Sequence, residues 1–258
     1  MRLAALQMPS VVADVDANLA CIEEGLRGAA ARGATLLVTP ELGLVGYGAG
    51  PALLTLAAAA DGPLIARLAA LARRHGVALV AGLPERDGVD VFNAALFIDG
   101  TTTVVYRKSH LYGAYERKLF RAAAPSTRLF RHAGLTFGLL ICYDVEFPEN
   151  VRRLARAGAD VVLVPTALPA GDNGRFIAER MVAVRAFENQ LFLAYVDVTG
   201  RDDRFTYGGR SRIIAPDGQV LAEAPVDGER LLVADIDPAA YVRSRADNSY
   251  LADLGPLA

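Results

Sequence analysis

Leu135-Thr136-Phe137-Gly138-Leu139-Leu140-Ile141-Cys142 runs directly into Tyr143-Asp144-Val145-Glu146-Phe147-Pro148-Glu149. The first segment is a nearly unbroken apolar run of the kind that forms a strand buried on both faces. The acidic, proline-bearing segment after it predicts a turn and a helix start. A buried strand that hands over to a helix is the building unit of an α/β protein. It also leaves the Cys142 thiol at the strand's carboxyl end, beside free backbone N–H groups and near a helix N-terminus. A nucleophile can be built on such a support. A cysteine serves equally well as a small buried hydrophobe, so the reading depends on what surrounds it.

The same strand-and-helix alternation extends outward in both directions. Residues 2–8 read as a strand, and 16–32 as a helix with Leu19, Ile22, Leu26 and Ala29 on one face and Gly33 as its stop. Thr35–Thr39 is a strand ending at Pro40-Glu41. Helical segments follow at about 51–60 and 63–75, then a strand at 77–81. Asp99-Gly100 between 92–98 and 102–108, and Pro216-Asp217-Gly218 between 211–215 and 219–222, predict two hairpins. Residues 161–164, 191–198 and 231–236 read as strands, and about 175–189 as a helix. Mixed βα units and hairpins predict two sheets, or one large mixed sheet, covered by helices.

With 258 residues and 53% hydrophobic side chains, the chain can bury a sizeable core, and one α/β domain is expected over 1–258. Its 27 basic and 29 acidic residues are well mixed, so no basic stripe points to nucleic acid. The Ala-rich stretch near 51–60 is too short to span a bilayer. No charged segment followed by an apolar one precedes the first strand, and a cytoplasmic location is expected. Cys21 and Cys142 cannot make a disulfide framework, and His75, His110 and His132 lack ligand spacing, so neither metal nor cofactor is expected. The tail 241–258 is polar, then apolar, without periodicity. It suits either a frayed end or a segment packed on a partner subunit.

Two more residues stand at strand ends. Glu41 follows a buried strand, and Lys108 closes the strand Thr103-Val104-Val105-Tyr106-Arg107-Lys108. Each alone is as readily a solvated charge. Together with Cys142, a carboxylate and an ammonium on one sheet edge would supply base, oxyanion donor and nucleophile. A thiol protease fits poorly, because no histidine is placed to activate Cys142.

Leu37-Val38-Thr39-Pro40-Glu41-Leu42, Tyr106-Arg107-Lys108-Ser109-His110-Leu111 and Leu140-Ile141-Cys142-Tyr143-Asp144-Val145-Glu146-Phe147-Pro148-Glu149 resemble the Glu, Lys and Cys motifs of the nitrilase (carbon–nitrogen hydrolase) superfamily. Ala159–Thr166, Arg185-Ala186-Phe187-Glu188-Asn189 and Gly209–Gly218 extend the resemblance, which runs from about residue 2 to 236. It implies a four-layer αββα sandwich, commonly a homodimer or higher homo-oligomer. It also implies a Cys-dependent hydrolase in which Glu41 is the base, Cys142 the nucleophile and Lys108 the oxyanion donor, with the Tyr143 N–H beside it. Glu116 matches a second glutamate that positions substrate, a loop ion pair to Arg117 or Lys118 being the alternative. Arg185, Glu188 and Asn189 match a supporting helix, and Asp144 and Glu149 are expected to hold the turn.

The Cys142 segment and Glu188-Asn189-Gln190 are similar to bacterial aliphatic amidases of the 5-aminopentanamidase type. That resemblance implies a small aliphatic carboxamide as substrate, amino-bearing ones included. Related carbamoyl-amine hydrolases and ω-amidases often carry a basic residue where this chain has Glu146. An acid there would favour amino-bearing or uncharged substrates, unless it merely pairs with Arg152 or Arg153. Tyr47, Tyr112, Tyr143 and Thr166 are the other candidate substrate contacts. N-carbamoyl-amine hydrolases and nitrilases use the same three residues and remain alternatives. A non-catalytic binding module would be favoured by the loss of any one of them.

Overall fold

The computed structural model describes residues 1–255. In chain order its strands are β1 (Arg2–Gln7), β2 (Leu36–Val38), β3 (Ala78–Asp87), β4 (Asp90–Ile98), β5 (Thr103–Arg107), β6 (Leu129–His132), β7 (Leu135–Leu139), β8 (Val161–Thr166), β9 (Phe192–Asp197), β10 (Arg212–Ile214), β11 (Val220–Glu223) and β12 (Arg230–Asp235). They form two six-stranded sheets, ordered β12-β1-β2-β3-β4-β5 and β11-β10-β9-β8-β7-β6. Each sheet has three parallel strands at its centre, β1-β2-β3 in one and β7-β8-β9 in the other, flanked by antiparallel ones.

The period-two alternation of strand side chains separates the layers. In the first sheet Leu3, Ala5, Leu36, Val38, Ala78, Val80, Ala95 and Phe97 share one core with the second sheet. Their neighbours Ala4, Leu6, Leu37, Leu79, Ala81, Leu96 and Ile98 pack in another core with two helices, α1 (Val15–Ala31) and α2 (Pro63–His75). The far face of the second sheet is covered by α3 (Pro148–Arg156) and α4 (Val182–Asn189), through Val151, Leu154, Val182 and Ala186. The result is the expected four-layer αββα sandwich. Each fully buried Leu or Val in these layers contributes roughly 1.5–3 kcal/mol relative to exposure.

Several local elements differ from the sequence reading. Beyond α1, β2 and the hairpin β4–β5, strand β3 runs six residues past the expected 81, to Asp87, and pairs with β4 through a second hairpin. Asp87-Gly88, with Gly88 at φ 59°, makes the turn between β3 and β4. The helix expected at 51–60 is one short segment, Ala52–Thr55. The long helix expected at 175–189 is broken by a π-helical turn, Ile177–Met181, ahead of α4. The tail folds back on its own chain through residue 255, where Ser244 donates to Gln190 Oε1 (2.8 Å) and Tyr250 packs edge-on to Phe187. Residues 256–258 of that tail lie outside the described residues. None of the described helices is long and apolar enough to cross a membrane.

The carboxyl ends of the parallel strands in both sheets converge on one place. Glu41 N donates across the sheets to Thr166 O (3.3 Å), so the end of β2 is tied to the end of β8. Gly82 of β3 lies directly beneath that crossing. A Cβ there would sit 2.3 Å from Pro40 O and 2.6 Å from Leu42 N. Gly82→Ala is therefore expected to displace the Pro40–Leu42 backbone and cut turnover at least about tenfold, with a fall in melting temperature of several degrees. Unchanged kinetics in that variant would show that Glu41 does not depend on this close approach.

Candidate active site

Cys142 is the first residue of a single 3-10 turn, Cys142–Glu146, which separates the end of β7 from α3. The α-helix start expected right after the thiol is thus one turn further on, because Pro148 fixes the first turn of α3. Cys142 itself takes φ 44°, the left-handed region, at a cost of order 1–3 kcal/mol for a residue with a Cβ.

The strained turn is held from three sides. Asp144 Oδ2 accepts from Ile141 N (3.2 Å) and the Tyr106 hydroxyl (2.9 Å). Its Oδ1 accepts from the Ser109 hydroxyl and from His110 N, both at 2.8 Å. Asp144 therefore fastens the cysteine turn to the loop just after Lys108. The His110 ring stacks on Phe147 with centroids 4.0 Å apart. From α4, Arg185 donates to Val145 O (3.0 Å) and Glu146 O (2.8 Å), the supporting role expected of that helix. Glu149 is exposed at the start of α3, away from this lattice.

Beside the thiol lies a fully buried charge network. Lys108 Nζ donates to Glu41 Oε1 and to Glu116 Oε1, each at 2.7 Å. Glu41 Oε1 also accepts from Asn93 Nδ2 (2.7 Å), and its Oε2 from Ala167 N (2.9 Å). Glu116 Oε1 accepts from the Tyr47 hydroxyl (2.8 Å), and Oε2 from Tyr112 N (2.9 Å). Glu116 sits on a short helix, Gly113–Leu119, and turns inward to Lys108, not outward to Arg117 or Lys118.

Burial pushes the Cys142 thiol well above its ordinary value, and the neighbouring Glu41 charge adds to this; Lys108 opposes it. Burial works against the Lys108 ammonium, but Glu41 and Glu116 outweigh it and hold Lys108 charged. Glu41 is raised, chiefly by burial, with Lys108 pulling the other way. Three protons on Nζ meet two carboxylates, so one N–H remains for a developing oxyanion.

Cys142 opens onto a cavity of about 550 Å³. Tyr47, Tyr112, Tyr143 and Glu146 line it, with the loop Ala167–Gly174 and with Phe176, Ile177 and Met181 of the segment before α4. Asp197 Oδ1 accepts from Leu168 N (2.8 Å) and so fixes that loop. Thr166 is a correction: its side chain is fully buried and donates to Val164 O (3.0 Å), while Ala167 beside it forms the wall. Glu146 is half-buried, makes no ion pair with Arg152 or Arg153 among the described residues, and is raised by burial. No cluster of three or more metal-ligating side chains occurs among the described residues.

Asn93, Ala167, Asp197, Ile177 and Met181 were not legible as site residues. For Asn93 a signal existed: it is the one polar residue within the apolar run Val91–Ile98.

Residues 2–246 match the carbon-nitrogen hydrolase family, and the chain belongs to it. It is a hydrolase of the nitrilase superfamily. A protein of Pseudomonas protegens described as a hydrolase in the pqqF 5′ region is 42% identical, over 99% of this chain and 90% of that one. A nitrilase of Pyrococcus abyssi is 32% identical over 92% of this chain and 90% of its own length. The crystal structure of an amidase from Nesterenkonia superposes with a TM-score of 0.87 at 33% identity, covering 98% of this chain and 92% of that one.

Proposed function

We propose that the chain is a Cys-dependent amidase that hydrolyses small aliphatic carboxamides, amino-bearing ones among them, to carboxylate and ammonia through a thioester. The observation that carries this reading is the buried Glu41–Lys108–Glu116 network beside a strained Cys142 that lines one cavity.

A thiol with a raised proton affinity is not a standing thiolate and needs a base at the moment of attack. Glu41, itself raised, is a carboxylate able to take that proton. The sulfur bonds to the amide carbon while the carbonyl electron pair moves onto oxygen, toward the free N–H of Lys108 and the Tyr143 N–H. The proton passes from Glu41 to the leaving nitrogen, which departs as ammonia. Glu41 then deprotonates a water that attacks the thioester, and the proton passes from Glu41 to the departing Cys142 sulfur. Glu116 holds Lys108 in place and orients the Tyr112 backbone at the cavity wall.

The comparisons support this reading. In the Nesterenkonia amidase, a glutamate-to-glutamine mutant carries the acetamide moiety of fluoroacetamide on its active-site cysteine, and a cysteine mutant binds butyramide. A relative in Pseudomonas, 38% identical over 57% of this chain and 53% of that protein, is an (R)-stereoselective amidase.

The cavity's charge supports the amino-bearing class. Its walls present the carboxylate of Glu146, Asp172 being paired with Arg175 at 3.3 Å, and, among the described residues, no lysine, arginine or histidine. An ammonium group on the substrate would find a partner there, and a second carboxylate would not. Ammonia release from butyramide, 5-aminopentanamide, a dicarboxylate monoamide, a carbamoyl amine and a nitrile tests the whole reading. Turnover of the carbamoyl amine or nitrile alone would move the chain to another branch of the family. Glu146→Arg is expected to shift the ratio of amino-amide to dicarboxylate-monoamide turnover at least about tenfold toward the latter. An unchanged ratio would remove Glu146 from the account.

A further inference from the structure

We propose that Asn93 is a positioning residue that decides which oxygen of Glu41 takes the thiol proton. The inference rests on the amidase reading, in which Glu41 is the base.

The two oxygens of Glu41 are not equivalent. Oε1 accepts from both Lys108 Nζ and Asn93 Nδ2 at 2.7 Å, which occupies both of its in-plane lone pairs. Among the described residues Oε2 accepts only the Ala167 N–H, at 2.9 Å, and keeps one lone pair open. Ala167 and Cys142 share a wall of the cavity, and the Ala167 N–H also favours the Cys142 thiolate. The open position is thus on the oxygen that shares the Ala167 N–H with the nucleophile. In the attack step the S–H bond breaks, an O–H bond forms at Oε2, and sulfur bonds to the carbonyl carbon. The Oε2 proton later passes to the departing nitrogen. No electrons are gained or lost overall.

Asn93 has a second hold on the same site, because its carbonyl accepts the Lys108 backbone N–H at 2.8 Å. One residue of β4 therefore registers the base through its side chain and the lysine through its backbone. Asn93 Oδ1 is buried without a partner among the described residues, in a strand whose neighbours Phe92 and Ala94 are apolar. An unpaired buried acceptor is costly, so its presence is explained by the work of Nδ2 on Oε1.

Without Asn93, Oε1 regains an open lone pair and Glu41 loses a donor that stabilises its charged form. The test is kcat/KM against pH for wild type, Asn93→Ala and the nearly isosteric Asn93→Asp. Asn93→Ala should lower kcat about 10- to 100-fold with KM within about twofold, and move the acid limb to higher pH. Asn93→Asp keeps the packing volume and adds a like charge, so its acid limb should move further in the same direction. A purely structural residue would move neither limb, and coincident acid limbs in both variants would overturn the proposal. The pH dependence of Cys142 alkylation by iodoacetamide reads the same proton transfer without a substrate. It keeps Asn93 under test even if wild type hydrolyses no amide, a result that would overturn the amidase reading alone.

Discussion

Lys108→Met is expected to lower amide turnover at least about 10³-fold and, at the same time, to destabilise the fold by about 3–5 kcal/mol. Both effects have one origin. Methionine fills the volume of the lysine stem but leaves Glu41 and Glu116, each fully buried, without the ammonium that both contact at 2.7 Å. Breaking such a buried network from one side costs far more than its net contribution when intact.

The loss should also depend on pH in a defined sense. Glu41 already lies above its ordinary value of 4.5 through burial, and Lys108 is the main group that pulls it down, with Asn93 the lesser one. In the variant the folded-state value rises further, so the native chain binds this proton more tightly than the unfolded chain. Its contribution to stability is complete below the ordinary carboxylate range and disappears as pH rises through the raised folded value. Urea unfolding of the variant should therefore give a distinctly higher midpoint at about pH 5 than at about pH 8. Equal midpoints would mean that Glu41 is not held as an unpaired buried carboxylate.

Cys142→Ala should act on chemistry and hardly at all on folding. Turnover is expected to fall by about four orders of magnitude or more, since no other nucleophile is at hand. Cys21 is half-buried on the surface of α1, and burial together with Glu229 pushes its thiol up to about 12, far from a reactive thiolate. The alanine loses only the sulfur's packing, roughly 1 kcal/mol, which in a chain of this size moves the melting temperature by about 2–4 °C. Ammonia release and calorimetry on the same sample separate the two quantities. Residual turnover above a few per cent of wild type would place the nucleophile elsewhere.

The strand ends were legible because apolar runs and breakers mark them locally. Residues 36–38, 103–107 and 135–139 are read from their own side chains, and so Glu41, Lys108 and Cys142 are located by position alone. Glu116 was only half legible. Its motif pointed to a role, but its inward turn depends on Tyr47 and Lys108, which lie 69 and 8 positions away in the chain. Thr166 was misjudged because a single residue of offset on a strand exchanges a buried face for a cavity wall. The π-helical turn and the grip of Asp197 on Leu168 were invisible, since each is set by tertiary contacts with no sequence period of its own.

The π-helical turn at Ile177–Met181 lies between the Ala167–Gly174 loop, which borders the cavity, and the helix α4. Ile177 and Met181 face the cavity from that turn, whereas Arg185, one turn further along, grips the cysteine loop. A π turn holds one residue more than an α turn. Losing that residue would rotate everything before it by about 100° relative to α4. Phe176 and the Ala167–Gly174 loop would then be recast while Arg185, Cys142 and Lys108 stayed in register. A one-residue deletion in that turn is thus expected to change what the cavity admits while leaving the bond-breaking apparatus in place.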